Sequence, residues 1–238
     1  MEDIDARIAE YRPSEETVAL LRATPVVLIV GITGAGKDTL QRELLKTGKF
    51  EKIITSTTRS PRVNDGVLER EGEDYYFFTE EQALDNLQQR RYFEVARVHG
   101  RINGSTTTEI RRLRDSGKIA IGDVDYQGAA YYKSHHPGTT LIFLIPPSYD
   151  EWVKRIRHRY TSDAEYHAAL PERRLSAVRE LAHSLETDTY HVIVNDDLET
   201  AVEAAKTIIH DPGHKTSKDD AARAIAQELL SAIADELD

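Results

Sequence analysis

The sequence predicts an α/β fold in which a parallel β-sheet core is flanked by helices on both faces. Short apolar runs alternate with helix-like segments along the 238 residues. Turn residues bound the four runs, which are rich in β-branched residues and span 25–30, 118–125, 139–145 and 190–196. Buried strands that alternate with helices need crossover connections, so these strands are expected to run parallel.

The chain is expected to begin with a helical extension over residues 1–24. Pro13 interrupts its helical pattern, and Ser14 is a suitable N-cap for the part that follows. Further helical patterns lie between and after the predicted strands, over 37–47, 105–116, 126–135, 148–160 and 197–210.

Two stretches interrupt this alternation of strands and helices. Residues 55–104 contain hairpin-like pieces around a short helix, which is typical of an inserted subdomain. Residues 157–175 are polar and rich in arginine, which favours a mobile lid.

Residues 211–238 are predicted to form a C-terminal amphipathic helix. Apolar residues recur there at intervals of four, at Ile225, Leu229, Ile233 and Leu237. That apolar side can pack on the chain's own surface, or the terminal helices can pair two copies into a homodimer. The sequence leaves both options open.

The composition excludes several classes of function. A formal net charge of −10 argues against nucleic acid as a partner. The absence of cysteine removes disulfides, thiol catalysis and cysteine-ligated metals. No apolar run approaches the ~20 residues that span a bilayer, so no membrane association is predicted. The acidic N-terminus lacks a hydrophobic signal core, and the expected location is cytoplasmic.

The segment "GITGAGKDT", residues 31–39, directly follows the first predicted strand. Gly31, Gly36 and Lys37 have the G-x-x-x-x-G-K spacing of a phosphate-binding loop. Glycines let successive N–H groups face phosphate oxygens, and the helix dipole and the lysine add positive potential. The alternative is an accidental glycine-rich turn. The residues expected to bind ATP here are Gly31, Ile32, Thr33, Gly34, Ala35, Gly36, Lys37, Asp38 and Thr39.

Asp38 departs from the usual motif, which has Ser or Thr after the lysine. The hydroxyl at this position normally helps to hold Mg²⁺. Asp38 can contact the metal or its waters, and Thr39 offers a hydroxyl one residue later. Both are therefore candidate Mg²⁺ ligands.

A second anion site is predicted in "TSTTRSPR", residues 55–62. Four consecutive hydroxyl residues, 55–58, precede Arg59, and bidentate arginines such as Arg59 and Arg62 suit a monophosphate. A solvated charged loop is the alternative for this segment taken alone.

Taken together, six motifs resemble those of the guanylate kinase family, P-loop kinases that move a phosphoryl group from ATP to GMP. They occur in the family's order and are the phosphate loop, "TTRSPR", "GEDYYFF", "DVDYQG", "IPPS" and "VIVNDDL". The resemblance runs over about 25–210. It implies a P-loop NTPase-type core, a nucleotide-acceptor insert at about 55–104, a lid at about 157–175, and Mg²⁺ with ATP as phosphoryl donor.

The resemblance also implies the residues that bind GMP or dGMP. Arg59 and Arg62 match the pair that grips the GMP phosphate, and Tyr75 matches the tyrosine that supports it. Glu94 matches the acidic residue that faces guanine, where a carboxylate can accept from N1–H and from the exocyclic amine. The full set is Thr55, Arg59, Arg62, Tyr75, Glu94, Asn103, Ser105 and Asp125.

On the donor side, Arg155, Arg159 and Arg174 resemble the arginines that fold over the transferring phosphate. With Lys37 they are the expected catalytic residues, although each can also belong to a basic solvated face. Asn195 matches a residue near the adenine of ATP. Asp123 follows a predicted central strand, where the resemblance places it near the phosphates and Mg²⁺. Asp123 and Asp125 can alternatively be turn-capping residues.

The match fails at several positions. Ile102 and Asn103 stand where the family usually has two tyrosines, and Tyr160 replaces a lid glycine. Asn103 can still donate a hydrogen bond but is shorter. The "GKD" of the phosphate loop is typical of ribose 1,5-bisphosphate phosphokinases, which share the fold but recognise no guanine. A non-catalytic, protein-binding relative of guanylate kinase is a third alternative, although such modules typically have degraded phosphate loops.

Overall fold

The computed structural model describes residues 4–64, 66–98, 100–213 and 217–237. Helices and strands alternate along most of the chain. In order they are α1 (Ile4–Ala9), α2 (Glu15–Arg22), β1 (Val26–Gly31), α3 (Lys37–Lys46), β2 (Phe50–Lys52), β3 (Ser56–Thr57), β4 (Val63–Asn64), β5 (Val67–Leu68), β6 (Tyr76–Phe77), α4 (Glu80–Gln88), β7 (Tyr92–Val98), β8 (Arg101–Thr106), α5 (Thr107–Ser116), β9 (Ile119–Asp123), α6 (Tyr126–His135), β10 (Thr140–Ile145), α7 (Tyr149–Arg157), α8 (Asp163–Glu186), β11 (Tyr190–Val194), α9 (Leu198–His210) and α10 (Ser217–Ala234).

A five-stranded sheet has the order β11-β10-β1-β9-β2. The β1–β10, β10–β11 and β2–β9 pairs are parallel, with Leu28 opposite Leu141 and Phe50 opposite Ile119. Every residue of β1 and of β10 is buried, which explains why these strands are continuous apolar runs without alternation. The predicted α/β fold with a parallel sheet is confirmed.

One compact unit comprises residues 27–48, 123–132 and 139–238. It contains the phosphate-loop segment and the last two strands of the chain. Within it α9 contacts α3, and α10 contacts α8 and β11. Leu229 and Ile233 of α10 are buried, whereas Leu237 is exposed. The C-terminal helix thus packs its apolar side on the chain's own surface.

The other compact unit comprises residues 1–26, 49–122 and 133–138. A four-stranded sheet with the order β6-β3-β8-β7 lies at its centre. The N-terminal helices belong to this unit, because α2 contacts α5 and α1 contacts β7. The buried hydroxyl of Tyr11 donates to the carbonyl of Tyr92 at 2.6 Å and accepts from its N–H at 2.9 Å.

Two helices differ from the sequence prediction. The helix expected from residue 105 begins at Thr107, since residues 105 and 106 continue β8 and the Thr106 hydroxyl caps the helix. The segment predicted only as a polar lid contains the first part of a 24-residue helix, α8 (Asp163–Glu186), with Ser162 as N-cap and Pro171 inside it. Abundant charge and an internal proline hide its periodicity in the sequence.

Candidate functional site

The segment from Gly31 to Thr39 forms a loop between β1 and α3. Gly31 has φ of 145°, and a side chain there would collide with the carbonyl oxygen of Leu144. Gly36 has φ of 95° at the N-cap of α3 and likewise leaves no room beside the amide of Asn195. Gly36 carries no capping side chain, and the N–H of Thr39 donates to the Gly36 carbonyl at 3.1 Å, so the N–H groups of Lys37 and Asp38 are the ones suited to an anion.

Lys37 is half-buried and lies across this loop. Its ammonium donates to the carbonyl of Gly31 at 2.6 Å and to that of Ile32 at 3.4 Å. Both partners are neutral, so the positive charge is retained at the N-terminus of a helix that is itself favourable to anions. The geometry suits a polyphosphate.

Two side chains hold the loop in place from outside it. Buried Asn195 donates to the carbonyl of Ala35 at 2.7 Å, and the indole of Trp152 donates to that of Thr33 at 2.8 Å. Asn195 is predicted to lie near adenine, and the structure places it against the loop backbone. That predicted contact with the base stays a prediction.

Two acidic residues of the unit that holds the loop, Asp123 and Glu180, lie within electrostatic range of Lys37. Protein packed around the carboxyl of Asp123, at the end of β9, raises its pKa to about 6. Negative charge on Asp38 and Glu180 adds to the rise, whereas Lys37 and Arg159 oppose it. Asp123 keeps access to solvent, which screens these effects. A cation bound nearby would therefore stabilise the ionised carboxylate of Asp123.

Glu180, on α8, is a member of this group that the sequence reading missed. Burial raises its pKa, while a hydrogen bond from Ser176 at 2.8 Å and the charge of Lys37 act against the rise. No motif includes Glu180, and an acidic residue within a helix does not by itself indicate a site.

The three predicted catalytic arginines have different surroundings. Arg155 donates to the carbonyl of Asn195 at 2.9 Å, and an Arg159 nitrogen lies 3.9 Å from the carboxylate of Asp38. Arg174 instead donates to the Tyr149 hydroxyl and to the Glu236 carboxylate, both at 2.8 Å. Arg155 and Arg159 therefore belong with the loop, whereas Arg174 is held by the C-terminal segment.

The carboxylate of Asp125 caps a helix. It accepts from the N–H of Gly128 at 2.7 Å, which caps the first turn of α6. The capping alternative thus has support for Asp125, and its contact with the guanine side stays a prediction.

In the other unit, Arg59 forms a bidentate ion pair with Glu69, at 2.5 and 2.8 Å. The guanidinium also lies 4.7 Å from the centre of the Tyr75 ring. The hydrogen bonds with Glu69 raise the pKa of Arg59. Arg59 and Tyr75 are thus brought together as predicted partners, and the sequence reading missed the carboxylate that holds the arginine.

The remaining residues of the 55–62 segment are ordered by backbone bonds. The N–H of exposed Arg62 donates to Glu69 at 2.9 Å. The carbonyl of half-buried Thr55 accepts from the N–H of Tyr76 at 2.9 Å. Both arginines therefore share Glu69, one through its side chain and one through its backbone.

Glu94 and Ser105 meet across β7 and β8. The Ser105 hydroxyl donates to the Glu94 carboxylate at 2.8 Å, and its N–H does so at 3.1 Å. A register shift between Tyr92 and Glu94 brings Glu94 opposite Ser105. The carboxylate is half-buried and oriented, as a base-recognising group requires.

Asn103, which replaces a usual tyrosine, lies opposite Thr57 in the pairing of β3 with β8. Its amide donates to the carbonyl of Arg101 at 3.1 Å. The neighbouring Ile102 is buried and packs inward. A contact of Asn103 with GMP stays a prediction.

Comparisons with known proteins find one family model and several proteins similar to this chain. Residues 22–212 match the family model described as guanylate kinase. The guanylate kinase of Clostridium tetani is 33% identical over 184 residues, which are 77% of this chain and 84% of that protein. That of Syntrophotalea carbinolica is 36% identical over 186 residues, 78% of this chain and 85% of its own. The crystal structure of guanylate kinase from Anaplasma phagocytophilum aligns with a TM-score of 0.57 at 27% identity, covering 81% of this chain and 88% of that one.

Across the described ranges, no helix is both long and apolar enough to cross a membrane.

Proposed function

The chain belongs to the guanylate kinase family, and we propose that it transfers the γ-phosphoryl group of ATP to GMP or dGMP. The products are ADP and GDP or dGDP. A phosphate oxygen of the acceptor attacks the γ-phosphorus in line, and the bond from that phosphorus to the β-phosphate oxygen breaks. No covalent intermediate with the protein forms.

The donor ATP is assigned to the loop over residues 31–39. The N–H groups of Lys37 and Asp38 and the Lys37 ammonium are assigned to its phosphates. Lys37 contributes most in the transition state, when negative charge moves onto the leaving ADP. Asn195 holds the loop through Ala35, and a contact of Asn195 with adenine is part of the proposal.

The acceptor is assigned to Arg59, Arg62 and Tyr75 for its phosphate and to Glu94 for its base. Arg59 presents a planar fork that fits phosphate, and Tyr75 stacks on it. Glu94 accepts from the two donors of guanine, which adenine lacks. Further polar groups complete this assignment: Thr55, Asn103, Ser105 and Asp125.

Magnesium fits the donor side of this arrangement. Asp123 has a pKa of about 6 beside other acidic groups, so a cation would stabilise its ionised form. Asp38 and Thr39, in the first turn of α3, add further oxygen ligands. Mg²⁺ prefers oxygen ligands, keeps several waters and binds with substrate phosphates. When bound it would neutralise charge on the phosphates.

The arginines of α7 and the lid region, Arg155, Arg159 and Arg174, are proposed to stabilise the transferring phosphoryl group. Closure of the lid would exclude water and limit ATP hydrolysis. The proposed organisation is a kinase domain over 25–210, with the acceptor insert at 55–104 and the lid at 157–175. Residues 1–24 and 211–238 are its flanking extensions.

The observation that carries the proposal is the oriented Glu94 carboxylate on the same chain as an intact phosphate loop. A coupled assay of ADP release with Mg²⁺-ATP tests it, using GMP, dGMP, AMP, UMP, CMP and ribose 1,5-bisphosphate as acceptors. Turnover with GMP and dGMP alone is the expected result. Turnover with ribose 1,5-bisphosphate alone would refute the assignment of Glu94, and no turnover by folded protein would favour a binding module.

A homodimer through the terminal helices and a cytoplasmic location are further predictions from the sequence. The α10 helix buries Leu229 and Ile233 within its own chain, and Leu237, three residues beyond the end of that helix, is exposed. Sedimentation of the purified protein tests the dimer, and a monomer at all concentrations would exclude it.

A further inference from the structure

A buried carboxylate, Glu109, lies at the centre of the acceptor unit and outside the set of predicted site residues. It occupies the first turn of α5, and its side chain has no solvent exposure. Burial of a charged group is costly unless it is paired and hydrogen-bonded. The partners that compensate Glu109 therefore indicate what it holds.

Glu109 accepts hydrogen bonds from two separate segments besides its own helix. The backbone N–H of Ile54 donates to one oxygen at 2.8 Å, and the hydroxyl of Tyr76 donates to the other at 3.0 Å. Ile54 directly precedes Thr55, and Tyr76 directly follows Tyr75. Both partners are thus adjacent in sequence to residues assigned to GMP.

Arg112, one turn further along α5, supplies the matching positive charge. It donates to both oxygens of Glu109 at 2.8 Å and also to Glu51 at 2.6 Å. A further bond at 2.8 Å reaches the carbonyl of Lys52, at the end of β2. The hydrogen bonds with Glu109 raise the pKa of Arg112 beyond its ordinary value. The strand that leads into residue 54 is therefore fixed from the same cluster.

The strand geometry carries this constraint to the ligand-facing residues. Tyr75 directly precedes β6, and its ring centre lies 5.9 Å from that of Phe77 in the strand, so fixing the neighbouring Tyr76 through its hydroxyl also restrains Tyr75. Tyr75 is the ring over which Arg59 lies. Tyr76 also pairs with Ser56 in the sheet, next to Thr55.

From these contacts we propose that Glu109 is a positioning residue for the acceptor site. Through Ile54 and Tyr76 it sets the placement of Thr55, Arg59 and Tyr75 against the GMP phosphate. The inference rests on the proposed function. Small displacements of binding groups cost affinity and rate, so loosening this cluster weakens acceptor binding first.

The experiment compares Tyr76→Phe and Glu109→Gln with a control on the same helix, Arg111→Gln. Tyr76→Phe removes one hydroxyl and leaves the carboxylate paired with Arg112. Arg111 forms an exposed ion pair with Glu16 at 2.6 Å. Initial rates are measured over a matrix of GMP and ATP concentrations, and GMP binding is measured by calorimetry.

Tyr76→Phe is expected to raise the KM and the Kd for GMP about three- to tenfold. Its kcat at saturating GMP and its KM for ATP should change less than about twofold. Glu109→Gln should raise the KM for GMP further. The amide nitrogen of glutamine would face hydrogen-bond donors, where a carboxylate oxygen of Glu109 now accepts from them. Arg111→Gln should match the wild type.

An unchanged KM for GMP in folded Tyr76→Phe would overturn the positioning role. A fall in kcat together with equal rises in the KM for GMP and for ATP would overturn it as well. If Glu109→Gln does not fold, Tyr76→Phe still decides the matter. Wild-type protein without GMP-dependent turnover would instead refute the proposed function itself.

Discussion

The two regions assigned to phosphates hold their cations in different ways. Lys37 donates to the neutral carbonyls of Gly31 and Ile32, whereas Arg59 is bound through two nitrogens to the carboxylate of Glu69. A carbonyl leaves the net charge of Lys37 in place, while Glu69 cancels that of Arg59 at contact distance. Lys37 can therefore contact an anion without leaving a carboxylate, while Asp123 and Glu180 offset part of its charge from a distance. The acceptor region has to share its cation between Glu69 and the incoming phosphate.

The largest expected effect comes from removing Lys37, the cation that donates to carbonyls rather than to a carboxylate. Lys37→Ala should lower kcat/KM about 10³-fold, because the positive charge on the transferring phosphates is lost. The melting temperature should stay close to that of the wild type, since the side chain is half-buried and its partners are carbonyls. Lys46→Ala, in an exposed pair with Glu43 on the same helix, is the matched control. An active Lys37→Ala enzyme would contradict the donor-site assignment.

Arg59→Lys tests the shared cation. Lysine keeps the charge but not the planar fork that binds Glu69 and phosphate. We expect the KM for GMP to rise about 30-fold while the KM for ATP stays unchanged. Arg70→Lys provides an exposed control nearby. A KM for GMP that stayed at the wild-type value would mean that Arg59 serves only its ion pair with Glu69.

The contrast between the regions also shows what the sequence could predict. The parallel strands and the loop around Lys37 follow from periodicity and spacing, which are local properties. Glu69 as the partner of Arg59 is ten residues away across a hairpin, and no spacing rule marks it. The approach of Glu94 to Ser105 depends on a register shift, and that of Glu109 to Ile54 on tertiary packing. Such contacts are fixed by the assembled strands rather than by any motif.

Glu94→Gln probes the base rather than the phosphate within the acceptor region. Glutamine can still accept from Ser105, but its amide nitrogen would oppose a guanine donor. The preference for GMP over AMP should fall about tenfold in kcat/KM. Glu81→Gln, on the exposed side of α4, should retain it. An undiminished preference in Glu94→Gln would remove Glu94 from base recognition.

Glu236→Gln tests Arg174, a cation on the donor side that a carboxylate holds, as Glu69 holds Arg59 on the acceptor side. Arg174 is paired with Glu236 and has to leave it in order to reach a phosphate. Weakening the pair should raise kcat about twofold, since an exposed ion pair contributes little. The control is Glu228→Gln, on the exposed face of α10. A lower kcat would mean that Glu236 holds Arg174 in its working position.

The smallest expected effect is on the pH dependence of stability, through the negative charge of Asp123, which Lys37 offsets only in part. The folded protein holds the pKa of Asp123 at about 6, above the ordinary value of 3.8. A raised folded pKa means that the contribution to stability is present below pH ~4 and is lost as the pH rises through about 6. Asp123→Asn, measured without Mg²⁺, should therefore gain melting temperature over the wild type by about 2–4 °C more at pH 8 than at pH 5. An equal difference at both pH values would show that Lys37 and Arg159 already compensate Asp123, and that the donor region is neutralised as fully as the acceptor region.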